Sequence, residues 1–169
     1  SLKSSADKAL YSVLYVQALD KNYIDTQDIS QIQRAVDFYK DLDDEYHKML
    51  SYYYLARIQE NTKEYSKAII NLLKAEVSAK KINNYFYLGL ICRSFSDIYN
   101  NAYNSVESLN YAQKAYEYFQ LSGYTNYADW GLWDIGKAFH NSTDYNSSIE
   151  IGQKVVNIAS VKQDTLLLS

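Results

Sequence analysis

Apolar residues recur every three or four positions along most of the chain, and short polar breaks interrupt them. Leu55 and Ile58 share one helical face, and Ile69 and Leu72 share another. The polar segment 60–63 separates these two faces. The pattern predicts a helix, a short turn and a second helix, because strands would show strict alternation bounded by turn pairs.

The same spacing extends over the whole chain and predicts an all-α fold. The predicted helices span residues 5–20, 27–42, 45–60, 64–81, 85–100, 105–121, 126–140 and 145–162. The chain of 169 residues has no proline and only five glycines. Both counts favour long uninterrupted helices, because proline breaks a helix and glycine weakens it.

Residue types also repeat with a period of 40 residues, which predicts four helix-turn-helix units at about 5–44, 45–84, 85–124 and 125–164. Residues 165–169 would begin a truncated fifth unit. Five columns of similar residues hold over four units, and two of them are Val16, Ala56, Ser96 and Gly136, and Ile29, Ile69, Leu109 and Ile149. Small residues let two helices approach closely. We therefore expect Ala56, Ser96 and Gly136 to face Ala68, Ser108 and Ser148.

A two-helix unit cannot bury its own apolar face, so neighbouring units must stack. The repeat therefore predicts one domain over residues 1–169, an α-solenoid coiled as a right-handed superhelix. The first helix of each unit would line a concave groove. The ends of such a stack expose apolar surface, which favours homodimer formation through the exposed ends.

The columns resemble the tetratricopeptide repeat, which places large, small and aromatic residues at fixed positions of a helix pair. The closest unit supplies Tyr52, Leu55, Ala56, Gln59, Ala68, Leu72 and Ala75, and the last supplies Leu132, Ile135, Gly136, Phe139, Ser148, Gly152 and Val155. The period of 40 exceeds the family's 34, and the family's proline between repeats is absent. The tyrosine-rich style also resembles repeat domains of Bacteroidetes envelope lipoproteins and membrane-tethered regulators.

The resemblance implies a set of groove-facing side chains. Those singled out are Tyr53, Tyr54, Arg57, Arg93, Asp97, Trp130, Trp133, Lys137 and His140. One hypothesis is that the groove holds an extended peptide or an acidic segment, with Trp130 and Trp133 as anchors, since arginine grips carboxylates well. The alternative is that the basic residues pair with Glu60, Asp97 and Asp134 and form a solvated surface.

The 19 tyrosines and three recurrent asparagines carry separate expectations. Most tyrosines would fill the space between helices, and examples are Tyr15, Tyr65, Tyr99 and Tyr145. A subset would serve as a peptide platform. Asparagines at 61, 101 and 141 would end the first helices in the left-handed conformation, which asparagine tolerates. They could instead present their amides to a ligand.

Composition narrows the function classes. The net charge of −3 argues against nucleic-acid binding, which needs a basic face. No apolar run approaches the roughly 18 residues of a membrane span, and no signal peptide is recognised.

Cys92 is the single cysteine and is expected to be a buried packing residue. No motif indicates a metal site, a cofactor site or catalysis, so we expect no enzyme.

Two functions follow from these patterns. The first is a protein-interaction module, a scaffold or sensor domain of a larger regulatory or envelope protein that binds a protein or peptide in its groove. The second is a structural repeat that assembles with itself and has no peptide ligand. For the cellular compartment, the resemblance implies the bacterial envelope, and the cytoplasm is the alternative.

Overall fold

The computed structural model describes residues 4–162, and these residues form eight α-helices and no strand. The helices are α1 (Ser5–Lys21), α2 (Ser30–Tyr39), α3 (Glu45–Asn61), α4 (Tyr65–Lys81), α5 (Tyr85–Asn101), α6 (Ser105–Ser122), α7 (Thr125–Asn141) and α8 (Tyr145–Lys162). The predicted all-α class is confirmed. The fifth unit predicted at residues 165–169 lies outside the described residues.

The chain divides into two compact units, Ser1–Asn84 and Tyr85–Ser169. In the first unit, α1 packs on α2 and α3, α2 packs on α3, and α3 packs on α4. In the second unit, α5 packs on α6 and α7, α6 packs on α7, and α7 packs on α8. Helices that follow one another in the chain are therefore neighbours within each unit.

Seven helices begin and end within one residue of their predicted bounds, but the prediction for α2 is wrong at both ends. The helix expected over residues 27–42 occupies only Ser30–Tyr39. Asp28 accepts hydrogen bonds from the Ser30 backbone N–H at 2.8 Å and from the Ser30 hydroxyl at 2.9 Å. Such local bonds offer the backbone an alternative to helix, which explains the late start.

Five helices end in the same way, with a left-handed residue two positions after the last helical one. These residues are Tyr23, Lys63, Asn83, Tyr103 and Thr143, with φ between 51° and 64°. The next N–H then bonds back five residues, for example from Asp144 to the Phe139 carbonyl at 3.1 Å. This bond satisfies a carbonyl that the helix end leaves free.

The left-handed conformation predicted for the recurrent asparagines is therefore wrong. Asn61, Asn101 and Asn141 are the last helical residues of α3, α5 and α7, and none of them adopts the left-handed conformation. The tight turn needs its positive φ two residues later. That position holds Lys63 after α3, Tyr103 after α5 and Thr143 after α7.

The predicted contacts between small residues are present in the second unit. The Ser96 hydroxyl lies 2.9 Å from the carbonyl oxygen of Ser108, to which it donates. The Ser148 hydroxyl likewise donates to the carbonyl of Gly136 at 3.0 Å. Since a side chain of one helix reaches the backbone of the other, α5 approaches α6 closely, and α7 approaches α8 closely.

Each unit has its own buried side chains. Large and fully buried ones include Ile32, Met49, Tyr54, Ile58 and Leu72 in the first unit and Ile91, Phe95 and Phe119 in the second. Cys92 is buried, as predicted. Tyr65 and Tyr99 are half-buried, whereas Tyr15 and Tyr145 are exposed, so the packing role expected for the last two is wrong.

Candidate functional site

A cavity of about 380 Å³ lies between α7 and α8. We call it the α7/α8 cavity, and it is lined by Trp133, Gly136, Lys137, His140, Asn141, Ser148, Ile151, Gly152 and Val155. The two helices face each other here through glycines. A Cβ atom at Gly152 would meet nothing within 4 Å, so the missing side chain leaves open space.

Trp133 forms the exposed aromatic wall of the α7/α8 cavity, and 45% of its surface is accessible. Val155 is buried on the opposite helix, and Ile151 is half-buried beside it. His140 is exposed at the end of α7, where its ring lies 5.5 Å from the ring of Tyr145. The cavity therefore combines an apolar floor with an accessible indole and polar groups at its margin.

Trp130 has a different environment from Trp133. It is half-buried and packs against the cluster of Val155 and Ala159. The guanidinium of Arg93 lies 5.6 Å from the centre of the Trp130 ring, which is a cation–π contact. Only Trp133 of the two predicted anchors lines the α7/α8 cavity.

A network of ion pairs joins α5 to α7 beside the cavity. The buried carboxylate of Asp134 lies 2.6 Å from Arg93 Nε and 2.7 Å from Lys137 Nζ. Lys137 Nζ also lies 3.2 Å from Asp97. Burial disfavours the charged form of Lys137, but the attraction of Asp134 and Asp97 outweighs it, so the pKa of Lys137 is raised.

Arg57 of the first unit is also paired with carboxylates. Its Nε lies 3.1 Å from Asp20 of α1, and its Nη1 lies 2.8 Å from Glu60. All three basic residues predicted for the groove therefore contact acids, as the alternative interpretation expected, although Asp134 is buried and is not part of a solvated surface. A ligand carboxylate would have to compete with an existing partner at each of them.

Tyr53 and Tyr54 are buried in α3, with 4% and 2% of their surfaces accessible. Their rings meet edge to face with centres 5.0 Å apart. They occupy the interior in this structure and present no exposed platform.

The predicted groove residues fall into both units. Tyr53, Tyr54 and Arg57 belong to the first, and the other six belong to the second. In the second unit, Trp133, Lys137 and His140 line the α7/α8 cavity, while Arg93, Asp97 and Trp130 lie in the adjoining contacts.

The predicted groove set did not include the α8 wall of the cavity. Ser148, Ile151, Gly152 and Val155 supply this wall. Ser148, Gly152 and Val155 stood out in the sequence as repeat positions, but they carried no ligand-binding signal. A cavity left by an absent side chain gives no motif to recognise.

A second cavity, also of about 380 Å³, lies in the first unit among α2, α3 and α4. It contains the hydrogen bond from the Asn71 amide to Gln59 Oε1 at 2.9 Å. The Lys74 ammonium lies over the ring of Tyr52, at 5.0 Å from its centre. The polar groups named here are thus already engaged within the unit.

No protein-family model matches the chain, and no curated protein matches it. Among residues 4–162, no helix combines the length and apolar character that a membrane crossing requires. The same residues contain no group of three or more His, Cys, Asp or Glu side chains arranged to hold a metal ion. The candidate site is therefore defined by the geometry of α7 and α8.

Proposed function

We propose that this chain is a protein-interaction module that captures a protein or peptide segment in the α7/α8 cavity. The observation that carries the proposal is the accessible Trp133 beside an apolar floor. Interfaces favour aromatic side chains, because they bury a large area at a small cost in conformational entropy. The proposed role is binding, and the module would act as a scaffold or sensor domain within a regulatory or envelope protein.

The proposed architecture is a tetratricopeptide-like α-solenoid with a period of 40 residues, coiled as a right-handed superhelix. The helix bounds support this period: α3, α5 and α7 begin at residues 45, 85 and 125, and α4, α6 and α8 begin at 65, 105 and 145. The contacts Ser96–Ser108 and Gly136–Ser148 are also 40 residues apart. The left-handed residues Lys63, Tyr103 and Thr143 keep the same step.

The geometry favours an apolar contact over an acidic one at this site. Lys137 is the cation that lines the cavity, and it is held by Asp97 and Asp134. The exposed indole of Trp133 carries no charge and forms no ion pair of this kind. We therefore propose that a large apolar side chain of the partner enters the cavity beside Trp133.

A screen of a random peptide library against the purified protein tests the proposal. We expect peptides rich in large apolar side chains to bind, and binding to weaken at least tenfold in Trp133→Ala. Gly152→Phe should also block binding, because the new ring would occupy the open space at Gly152. Leu121→Ala, an exposed position on α6, is the control and should bind as the wild type does.

Two results would contradict the proposal. One is a screen that yields no specific peptide. The other is a set of peptides that bind Trp133→Ala and Gly152→Phe as tightly as the wild type, which would place the interaction elsewhere on the molecule.

The second candidate function is self-assembly without a peptide ligand. A row of exposed apolar side chains on α1 favours it, namely Leu10, Tyr11, Leu14 and Tyr15. We call this row the α1 face.

A further inference from the structure

We infer that the partner of the α7/α8 cavity is the α1 face of a second copy of this chain. The inference rests on the proposed function and on the 40-residue repeat, and it names the segment that the cavity captures. In the second unit, α7 covers the surface of α5 and α6. The α7/α8 cavity and the α1 face occupy equivalent repeat positions and are uncovered.

The first surface is the one that α5 and α6 present to α7. Ala128 of α7 belongs to one buried cluster with Cys92, Ala115 and Phe119. The approach is close, since a Cβ atom at Gly131 would lie 3.0 Å from the Cα of Tyr116. Within the second unit, a helix pair is thus covered by the first helix of the next pair.

Part of the α7/α8 cavity wall follows this covered surface by 40 residues, because Val155 is the equivalent of Ala115, which lies in the cluster with Ala128. Ser96, Ala112 and Ala115 are buried, and their equivalents are Gly136, Gly152 and Val155 in the cavity wall. Trp133, the equivalent of Arg93, remains 45% accessible. The α7/α8 pair therefore presents the equivalent positions with different side chains, and no helix of the described chain fills the cavity.

The α1 face is the counterpart of the α7 surface that covers α5 and α6. Gly131, Asp134 and Ile135 of α7 are buried, and a shift of 120 residues makes them equivalent to Tyr11, Leu14 and Tyr15. On α1 the accessible fractions are 47%, 51% and 42%. The rings of Tyr11 and Tyr15 are stacked with centres 5.8 Å apart, which joins them into one apolar surface.

The repeat also predicts which side chains meet across the contact. Inside the second unit, Arg93 reaches Asp134, 41 residues later. The same step can be continued from the last helix pair of one copy to the first helix pair of the next copy. Trp133 of one copy would then meet Leu14 of the next. An apolar pair would thus replace the ion pair, which agrees with the exposure of both side chains.

The two surfaces differ, so the contact is heterologous: the cavity of one copy holds α1 of the next. A contact of this type leaves one free cavity and one free α1 face on any pair of copies. Association should therefore continue beyond a dimer and depend on protein concentration.

Sedimentation velocity on the full chain over a range of concentrations tests the inference. We expect the mean mass of the wild type to rise with concentration beyond that of two copies. Leu14→Asp on the α1 face and Gly152→Phe in the cavity should each remain monomeric. Leu121→Asp changes a leucine on α6 that is more exposed than Leu14, and this variant should associate as the wild type does. Circular dichroism checks that all variants keep their helices.

A mixture of the two blocked variants gives the sharpest result. Leu14→Asp keeps an intact cavity, and Gly152→Phe keeps an intact α1 face, so the mixture should form a complex of one copy of each and stop there. A two-fold contact between identical surfaces would not produce this complementation. Failure of the mixture to associate, or a wild type that is monomeric at every concentration, overturns the inference.

The outcome is separable from that of the proposed function. A monomeric protein that still binds apolar peptides through Trp133 would keep the cavity as an interaction site with a different partner. A chain that neither associates nor binds peptides would remove both proposals.

Discussion

The buried carboxylate of Asp134 in α7 lies 2.6 Å from Nε of Arg93 in α5, and the two residues are 41 positions apart in the chain. Lys137, one helical turn after Asp134, holds its other oxygen at 2.7 Å. One carboxylate thus compensates two cations at a helix contact. Removing its charge would take this counter-charge away from both cations, and Lys137 would keep its contact with Asp97 at 3.2 Å.

We expect Asp134→Asn to lower the free energy of unfolding by about 2 kcal/mol, since breaking a buried ion pair is costly but both cations reach solvent. Asp97→Asn is the matched control in the same unit. Asp97 is 38% accessible at its side chain, so its loss should cost less than about 1 kcal/mol. Urea denaturation compares the two, and equal losses would show that Asp134 has no special role.

Two glycines of the second unit should respond in opposite directions to the same substitution. At Gly89, a Cβ atom would lie 2.6 Å from the buried ring of Phe119, whereas at Gly152 it would meet nothing within 4 Å. Gly89→Ala should therefore destabilise the protein by about 1–3 kcal/mol through overpacking. Gly152→Ala should stabilise it by about 0.5–1 kcal/mol, because alanine favours helix. Thermal melting that moves both variants the same way would contradict this packing.

The left-handed turn residues offer a route to stabilisation. Thr143 has φ of 64°, and a β-branched residue is strained there. Thr143→Gly should raise the free energy of unfolding by about 0.5–1 kcal/mol, since glycine removes the strain but loses more entropy on folding. Asn83→Gly is the control, because asparagine already tolerates its φ of 51°, and it should change stability little. Denaturant titration decides, and a loss of stability in Thr143→Gly would be the opposing result.

Glu45 at the start of α3 makes the stability of the first unit depend on pH. A hydrogen bond from Lys81, with Nζ at 2.7 Å, and a second from Ser78 lower the pKa of Glu45 from 4.5 to about 2, against the opposing effect of burial. Because the folded-state pKa is the lower one, its contribution is complete above about pH 4.5 and is lost as the pH falls toward 2.

Glu45→Gln should therefore be less stable than the wild type by about 1 kcal/mol near neutral pH. The difference should shrink as the pH falls from about 4.5 toward 2. Lys81→Met, which removes the partner, should reproduce the same pH dependence. Urea midpoints measured across this range check it, and a difference that stays constant at all pH values would exclude the ion pair as its origin.

Much of the fold could be predicted from the sequence, because helix bounds depend on local patterns. Seven helices match their expected bounds within one residue, since apolar spacing and polar breaks mark where each helix begins and ends. The late start of α2 escaped prediction because Asp28 and Ser30 form a local turn that competes with helix. The apolar pattern contains no information about that competition.

Only the α7 wall of the α7/α8 cavity was predicted from the sequence. Trp133, Lys137 and His140 were expected from the groove-facing positions that the resemblance implies, whereas the Ile151 and Gly152 wall depends on which face of α8 lies opposite. Likewise, the burial of Tyr53 and the pairing of Lys137 with Asp97 depend on neighbouring helices that lie far away in the chain.

Local spacing along the chain was enough to establish eight helices, their order and the small residues at their contacts. Tertiary packing decided which charges are neutralised, which tyrosines are buried and where a cavity remains. The physical reason is that a helix needs only hydrogen bonds and side chains within about four residues of one another. A cavity or an ion pair such as Arg93–Asp134 exists only where separate helices meet, and their mutual distance is set by every side chain packed between them.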